Sequence, residues 1–300
     1  MKHLTAILLL TTALMTVSGC TGGKAPVIAD PPTLHSGNWL MIVNSNTSTS
    51  DLYPQNKYYR GTLESTGNTV SANLSLSRAT SANCFPDLLA LTGSLSNDVV
   101  TLTPIPNDSN LTIATTIKPG GILLGTYNCT SQGAGADNGT VYATSIPLIS
   151  GVWSGTLAES VSTWVPSSSG GTISTTYYEI GAAATIVQSS VAAPSDSSRV
   201  PPYSYALSGT VTLTNSTCFN SGSSTLAIDS TMSYINGEQV FISAMSDDGT
   251  EGFTWGTSQR PVPLDDPTTA ASMLNPSNFA VFSDSCRFDT FYSTSLSKSS

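Results

Sequence analysis

Histidine is almost missing from this chain: 300 residues contain two, His3 and His35. Neither lies in a segment that reads as folded, so Ser-His-Asp and Cys-His sites lack their general base. Histidine-rich zinc sites are excluded on the same ground. Positive charge is also scarce. Ten Lys and Arg stand against nineteen Asp and Glu, for a net charge of −9 and a pI near 4.4. Binding along a phosphate backbone needs a dense Lys/Arg patch, which ten scattered residues do not supply, so nucleic acid is excluded as a partner. Only 10% of residues are charged. No apolar run is long enough to span a bilayer as a helix of roughly 20 residues.

The motifs of common catalysts are absent too. There is no Gly-x-Ser-x-Gly elbow and no Gly-rich phosphate loop with a lysine. Ser295-x-x-Lys298 has the spacing of a Ser-x-x-Lys nucleophile, but it sits in a polar C-terminal tail without partner motifs. Asp247-Asp248-Gly249 reads as a hairpin turn, and Asp265-Asp266 lies in a Pro-rich loop. A glycosidase needs two carboxylates facing each other across a cleft, and calcium needs a defined loop of oxygen ligands. The spacing matches no calcium loop, and a hydrolase would require a clustered carboxylate pair in a deep cleft. The expectation is a protein that is not an enzyme, with no cofactor and no metal.

What is present begins at the N-terminus. Lys2 and His3 form a short positive region, and Leu4 to Val17 is uncharged and rich in Leu and Ile. Small residues Ser18 and Gly19 then precede Cys20. This is the three-part pattern of a secretory signal. Val17-Ser18-Gly19-Cys20 resembles the lipobox of bacterial lipoproteins. The resemblance implies cleavage before Cys20, a thioether-linked diacylglycerol on its sulfur and a further acyl chain such as palmitate on its amine. At about 0.8 kcal/mol per buried CH₂, two or three chains hold a domain on a membrane. Thr21 stands where an aspartate would signal inner-membrane retention, which implies the outer membrane in a Gram-negative cell. Residues 1–19 are thus expected to be a signal peptide and residues 20–35, punctuated by Gly and Pro, a lipidated tether.

From residue 36 onward, short runs rich in Val, Ile, Thr, Tyr and Leu alternate with Gly, Asn, Asp and Ser clusters. Eight runs up to residue 149 read as strands: Asn38 to Asn44, Tyr58 to Glu64, Thr69 to Ser77, Leu88 to Ser96, Val99 to Ile105, Asn110 to Ile117, Ile122 to Cys129 and Thr140 to Ile149. Period-two alternation in Val70-Ser71-Ala72-Asn73-Leu74-Ser75 fits a sheet wet on one face. Turn signals fall at Ser96-Asn97-Asp98 and Lys118-Pro119-Gly120-Gly121.

The pattern then restarts. Gly37-Asn38-Trp39 has its counterpart in Gly151-Val152-Trp153, Tyr58-Tyr59 in Tyr177-Tyr178, and Asn83-Cys84-Phe85 in Thr217-Cys218-Phe219. Leu95-Ser96-Asn97-Asp98-Val99-Val100 resembles Tyr234-Ile235-Asn236-Gly237-Glu238-Gln239-Val240, and Gly121 to Thr126 resembles Glu251-Gly252-Phe253-Thr254-Trp255-Gly256-Thr257. Matches in one order imply two diverged copies of a β domain, residues 36–149 and 150–300. The second carries insertions at Val165 to Thr176, Val191 to Pro202 and Ser258 to Ser277, expected to be loops.

Five cysteines are an odd number for a secreted chain. Lipidation of Cys20 leaves four, so the lipobox and the count support each other. Of the three pairings, only Cys84 with Cys129 and Cys218 with Cys286 respects both the domain boundary and the repeat. Each would close a loop that stabilises by about 4 kcal/mol on a chain-entropy basis.

Gly37-Asn38-Trp39 and Gly151-Val152-Trp153 resemble the opening strand of lipocalin- and avidin-like barrels. The tandem arrangement resembles that of lipoproteins from soil bacteria. The first resemblance implies two antiparallel up-and-down β-barrels whose first-strand tryptophan packs across the closed end. A pair of β-sandwiches is the alternative. Trp39, Tyr58, Trp153, Tyr177 and Trp255 are the candidate ligand-facing or barrel-base aromatics. The function expected is a lipid-anchored, non-enzymatic module at the bacterial cell envelope that binds a small molecule or glycan. The alternative is a structural lipoprotein that meets an envelope protein and has no small-molecule ligand.

Overall fold

The structure, a computed structural model, describes residues 34–46, 56–77, 85–106, 110–131, 135–168, 170–193, 200–219, 221–258, 273–283, 286–290 and 296–298. Residues 131, 135, 159–164, 177, 258, 273–279 and 286–290 are described by backbone alone. The expected signal peptide, the lipobox and Cys20 lie outside these residues, as do Cys84 and Asp265-Asp266.

Eight strands make up the first half: β1 Gly37–Ser45, β2 Asn56–Thr66, β3 Thr69–Leu76, β4 Leu88–Ser96, β5 Val99–Pro104, β6 Thr112–Lys118, β7 Ile122–Ser131 and β8 Gly135–Ser145. Each pairs antiparallel with the next, and β8 returns to β1 with Trp39 opposite Ser145, closing a barrel. All eight runs expected from the sequence are strands. The reason is local. In β3, Val70, Ala72 and Leu74 point into the core while Asn73 faces water. The β4–β5 hairpin turns on Asn97 and Asp98, both at positive φ (50° and 63°), as the tight two-residue loop of a twisted hairpin requires. Gly61 sits where an added Cβ would strike the carbonyl oxygen of Asn73, so only glycine lets β2 and β3 approach so closely.

The second half contains β9 Gly151–Ser167, β10 Gly170–Ala192, β11 Tyr205–Thr214, β12 Ser223–Ile228, β13 Tyr234–Asn236, β14 Gln239–Met245, β15 Glu251–Ser258, β16 Met273–Ser283, β17 Cys286–Thr290 and β18 Leu296–Lys298. They form one ten-stranded antiparallel sheet in the order β10-β9-β18-β16-β15-β14-β12-β11-β13, with β17 on β16. Because β10 also pairs with β11, eight of the ten follow one another in a ring of pairings. Some links in that ring are short: β18 meets β16 through two residue pairs and β9 through three, and β12 meets β14 through two. The second half is therefore all-β and antiparallel as expected, but not a repetition of the plain eight-strand barrel.

Three expectations about this half are corrected. Of the expected loop Ser258 to Ser277, Ser258 ends β15 and Met273 to Ser277 belong to β16, and residues 259–272 lie outside the described residues. The segment Val165 to Thr176 is not a loop. Strands β9 and β10 pair continuously from Gly151↔Ile186 to Ser167↔Gly170. Past Leu157 and Ile180 neither strand has another partner in the sheet among the described residues, and the hairpin continues as a ribbon of β9 and β10. The supposed polar tail at the C-terminus contributes β18, wedged between β9 and β16. Leu296 is buried there, and the Lys298 ammonium lies 5.8 Å from the centre of the Trp153 ring.

Two apolar cores form. One lies inside the barrel around Trp39, Tyr59, Leu74, Leu91 and Ile113. The other lies in the second sheet around Trp153, Ile180, Leu207, Phe253 and Trp255. They meet at β1. Its inward residues Trp39, Met41 and Val43 belong to the barrel core. Its outward residue Leu40, 1% exposed, belongs to the other core, and Ile42 packs on it. A strand with both faces buried ties the two halves together.

Candidate functional site

The two first-strand tryptophans are fully buried and held alike. Trp39 Nε1 donates to the carbonyl of His35 (2.9 Å), and Trp153 Nε1 donates to the carbonyl of Ile149 (2.8 Å). In both cases the acceptor lies four residues earlier. Trp255 is buried beside Phe253, ring centres 6.5 Å apart. Tyr58, 38% exposed, points out of the barrel, and its neighbour Tyr59 points in. The register decides this, since successive strand residues face opposite sides. The Tyr177 side chain lies outside the described residues. The expected aromatics thus do not converge on one site.

The barrel interior is a packed core. Its void measures about 20 Å³ and is lined by Trp39, Met41, Leu63, Leu91, Thr115 and Val141, among others. That is about the room of one water, in an apolar lining that offers it few partners. Eight strands enclose a space that side chains fill.

One end of the barrel is closed by a polar-aromatic cluster. The Phe85 ring meets Tyr127 edge-on at 4.9 Å and lies 5.9 Å from Tyr59. Tyr127 and Ser45 both donate to the Asp137 carboxylate, at 2.9 and 2.7 Å, and Tyr59 donates to the carbonyl of Pro86 at 2.9 Å. Burial pushes both phenols well above their usual range. The Lys57 ammonium stacks 5.7 Å from the Phe85 ring. Burial lowers its pKa and the Asp137 charge opposes that shift. The phenols, the Ser45 hydroxyl and the Asp137 carboxylate are thus hydrogen-bonded to protein at this end.

The cysteines flank these cores. Cys129 and Cys218 are buried disulfide cysteines. The cysteines assigned to them, Cys84 and Cys286, have no described side chains. At Asp248 the carboxylate is spent within its turn. Ser246 donates to it first and then Thr250 through both backbone and hydroxyl, which holds the pKa below the usual carboxylate range. Among the described residues no three His, Cys, Asp or Glu side chains gather to hold a metal ion.

The polar residues that do converge lie between the barrel and the second sheet. Asn38 Nδ2 donates to the carbonyl of Gly237 (2.9 Å), and the Gly237 amide donates back to Asn38 Oδ1 (2.8 Å). Next to it, Arg60 is ion-paired with Glu238: Nε donates to Oε2 at 2.9 Å, and Nη2 meets Oε1. Such a two-pronged pair fixes orientation as well as distance. Both partners come from the two-residue loop between β13 and β14. Gly237 has a φ of 54°, and a Cβ there would lie 2.6 Å from Arg60 Cγ, so glycine is required twice over.

Beside this bracket opens a cleft of about 250 Å³. Arg60, Ser75, Pro202 and Asn236 lie at its base, and Ser77, Asp87, Leu88 and Gln239 are exposed around it. Asn236 Nδ2 donates to the carbonyl of Pro202 (3.2 Å), and the Ser75 hydroxyl is within 3.4 Å of the same oxygen. Two buried polar atoms at the base have no hydrogen-bond partner: Arg60 Nη1, a donor, and Asn236 Oδ1, an acceptor. Orphaned groups of this kind cost about 1–3 kcal/mol each.

None of the cleft residues was singled out as a site by the sequence pattern, because they come from β2, β3, the start of β4, the segment before β11 and the β13–β14 hairpin. One signal was available. Trp39-Leu40-Met41-Ile42-Val43 is an unbroken apolar run, unlike the alternation of β3, and such a run marks a strand buried on both faces. It points to a second body packed on β1. No family model, no curated protein and no solved structure matches the chain.

Proposed function

We propose that this chain is an exported lipoprotein, anchored through Cys20 to the bacterial cell envelope, that works as a non-enzymatic binding module. Its ligand site is the cleft between the two β bodies and not a barrel interior. The observation that carries this reading is the 250 Å³ cleft, walled by Arg60, Ser75, Ser77, Asn236 and Gln239, beside a barrel whose own void is about 20 Å³. Rigid sheets joined by a fixed bracket present such a cleft at little ordering cost. The test is native mass spectrometry of the chain extracted from its own envelope. Retention of a small molecule, lost on substituting cleft residues, supports the reading, and a bare mass throughout refutes it.

The repeat belongs to the same proposal. The matching Trp39 and Trp153 hydrogen bonds, each to the carbonyl four residues back, support a common ancestor for the two halves. So does Phe85 buried in one core and Phe219 in the other, each next to a cysteine. The pairing Cys84–Cys129 gains support from the Phe85–Tyr127 ring contact, because each cysteine is within two residues of those rings. Cys218–Cys286 gains support from Cys218 Sγ lying 3.9 Å from the Val281 carbonyl on β16, where β17 begins opposite Ser283.

A second reading is a structural lipoprotein that meets an envelope protein. It is favoured by the β9–β10 ribbon, whose residues Val165, Ile173 and Tyr178 are exposed. Crosslinking in intact cells from a probe at Ile173 would capture one defined partner if it holds.

A further inference from the structure

We propose that one corner of the folded body rests in the headgroup region of the membrane that carries the Cys20 anchor. This deepens the lipoprotein reading and rests on it. The corner is the place where β1 and β9 begin and β10 ends.

Four aliphatic side chains stand out there. Leu148 is 64% exposed, Val152 49%, Val187 52% and Val191 75%. Strand register brings them together. Val152 lies opposite Thr185, so Val187 is its diagonal neighbour on the same face, about 7–8 Å away. That face points outward, because Trp153 and Ile186, one residue along each strand, are buried. Gln188 ties in the segment before β9. Its Oε1 accepts from the Ile149 amide at 3.2 Å, and its own amide donates to the Ser150 hydroxyl at 2.9 Å, which seats Leu148 beside the end of β10. Val191 follows in the bulge between Gln188 and Ala192, where its carbonyl accepts from the Ser189 hydroxyl at 2.7 Å. Single exposed aliphatics are ordinary on a protein surface, but several at one corner mark a contact.

The place of the anchor identifies that contact as lipid. The described residues begin at Leu34, and the bond from Trp39 Nε1 to the His35 carbonyl fixes this entry at the start of β1. At the same strand end the Ile146 amide donates to the Asn38 carbonyl at 2.8 Å, only two residues before Leu148. Residues 20–33 reach at most about 50 Å when fully extended, at about 3.6 Å each. The β9–β10 ribbon leads the other way. Strand β9 runs for 17 residues, about 55 Å, from Gly151 at this corner toward the ribbon tip. An anchor on the corner's side therefore presents the aliphatic residues to the bilayer at high effective concentration. A shallow insertion too weak to hold a detached protein is then occupied. Lys298 adds a cation at the edge of the patch. Its Cε lies 2.5 Å from where a Gly151 Cβ would stand, next to Val152, and its ammonium is 5.8 Å from the Trp153 ring centre. A lysine stem laid along apolar surface suits the boundary between acyl chains and lipid phosphates.

The test uses the full, lipidated chain in phosphatidylethanolamine–phosphatidylglycerol vesicles that contain doxyl-labelled phosphatidylcholine. A fluorophore is attached through Leu148→Cys, Val152→Cys or, on the ribbon, Ile173→Cys. Flotation of the vesicles reports the anchor separately. The Leu148→Cys and Val152→Cys labels are expected to lose emission to the doxyl groups, and the Ile173→Cys label to keep it. Val187→Asp combined with Val191→Asp, both at exposed positions, is expected to abolish quenching of the Val152→Cys label while flotation is retained. A floating chain whose corner labels are unquenched, or whose Ile173→Cys label is quenched equally, overturns the docked corner and leaves the anchor standing. Quenching that persists in the double aspartate variant overturns it too. A chain that does not float overturns the anchor, and the docked corner with it.

Discussion

Replacing Asn38 by alanine tests whether the two β bodies are locked together. Asn38 sits next to Trp39 on β1 but points the other way, and its amide both gives and takes a hydrogen bond with Gly237. Asn38 and Gly237 are both buried. Alanine leaves the Gly237 N–H and C=O without partners and admits no water to replace them. At about 1–3 kcal/mol per orphaned group, the loss is about 2–6 kcal/mol. At about 2.1 cal/mol/K per residue, a 300-residue chain shifts its Tm by about 1.6 °C per kcal/mol, so a mid-range loss of about 4 kcal/mol lowers Tm by about 6 °C. The assay is thermal unfolding followed by far-UV circular dichroism and by tryptophan fluorescence. Asn44→Ala, an exposed position on the same strand, is the control and should stay within about 0.5 kcal/mol of wild type. If Asn38→Ala melts with wild type, the Asn38–Gly237 bracket does not hold the halves together, and the cleft beside it loses its rigid wall.

Three further predictions address the ion pair, pH and the anchor. Arg60→Met strands the Glu238 carboxylate at the interface and should cost about 3–5 kcal/mol in urea unfolding, whereas Arg60→Met with Glu238→Met should recover most of that loss. Tyr59, Tyr127 and Tyr205 have phenols raised by burial, Tyr205 to about 12 against an ordinary 10.0. A raised acid favours the protonated folded state. Its contribution is therefore whole below pH 10 and lost as pH climbs toward the folded value. The urea midpoint should fall above pH 10, and less steeply in Tyr59→Phe; a flat profile to pH 12 contradicts the burial of these rings. Cys20→Ser should move the protein from the detergent phase to the aqueous phase on Triton X-114 partition, and unchanged partition would sink the lipid anchor.

The strands of the first half are legible in the sequence because their causes are local. Alternation of Val70, Ala72 and Leu74 assigns β3 its buried face, and Asn97-Asp98 tolerates the positive φ that its hairpin needs. Trp39 and Trp153 are recognisable as core by the same reasoning, since each opens a strand and each is fully buried. The scarcity of histidine, two in 300 residues, is likewise read from composition alone.

What only the tertiary structure decided is everything that depends on two distant segments meeting. Arg60 and Glu238 are 178 residues apart, and Asn38 and Gly237 are 199 apart. Nothing in either neighbourhood names the other. The inside or outside position of Tyr58 turned on strand register, and a shift of one residue would have exchanged it with Tyr59. The C-terminal Leu296–Lys298 segment looks polar, yet it becomes a strand because β9 and β16 leave edges that it can pair. The filled barrel follows from strand number and side-chain volume together, neither of which a single residue carries. The sequence by itself determined the strands of the first half and the face that each alternating strand buries. Packing of one β body on the outer face of the other decided where a ligand can go, because that packing alone creates the cleft.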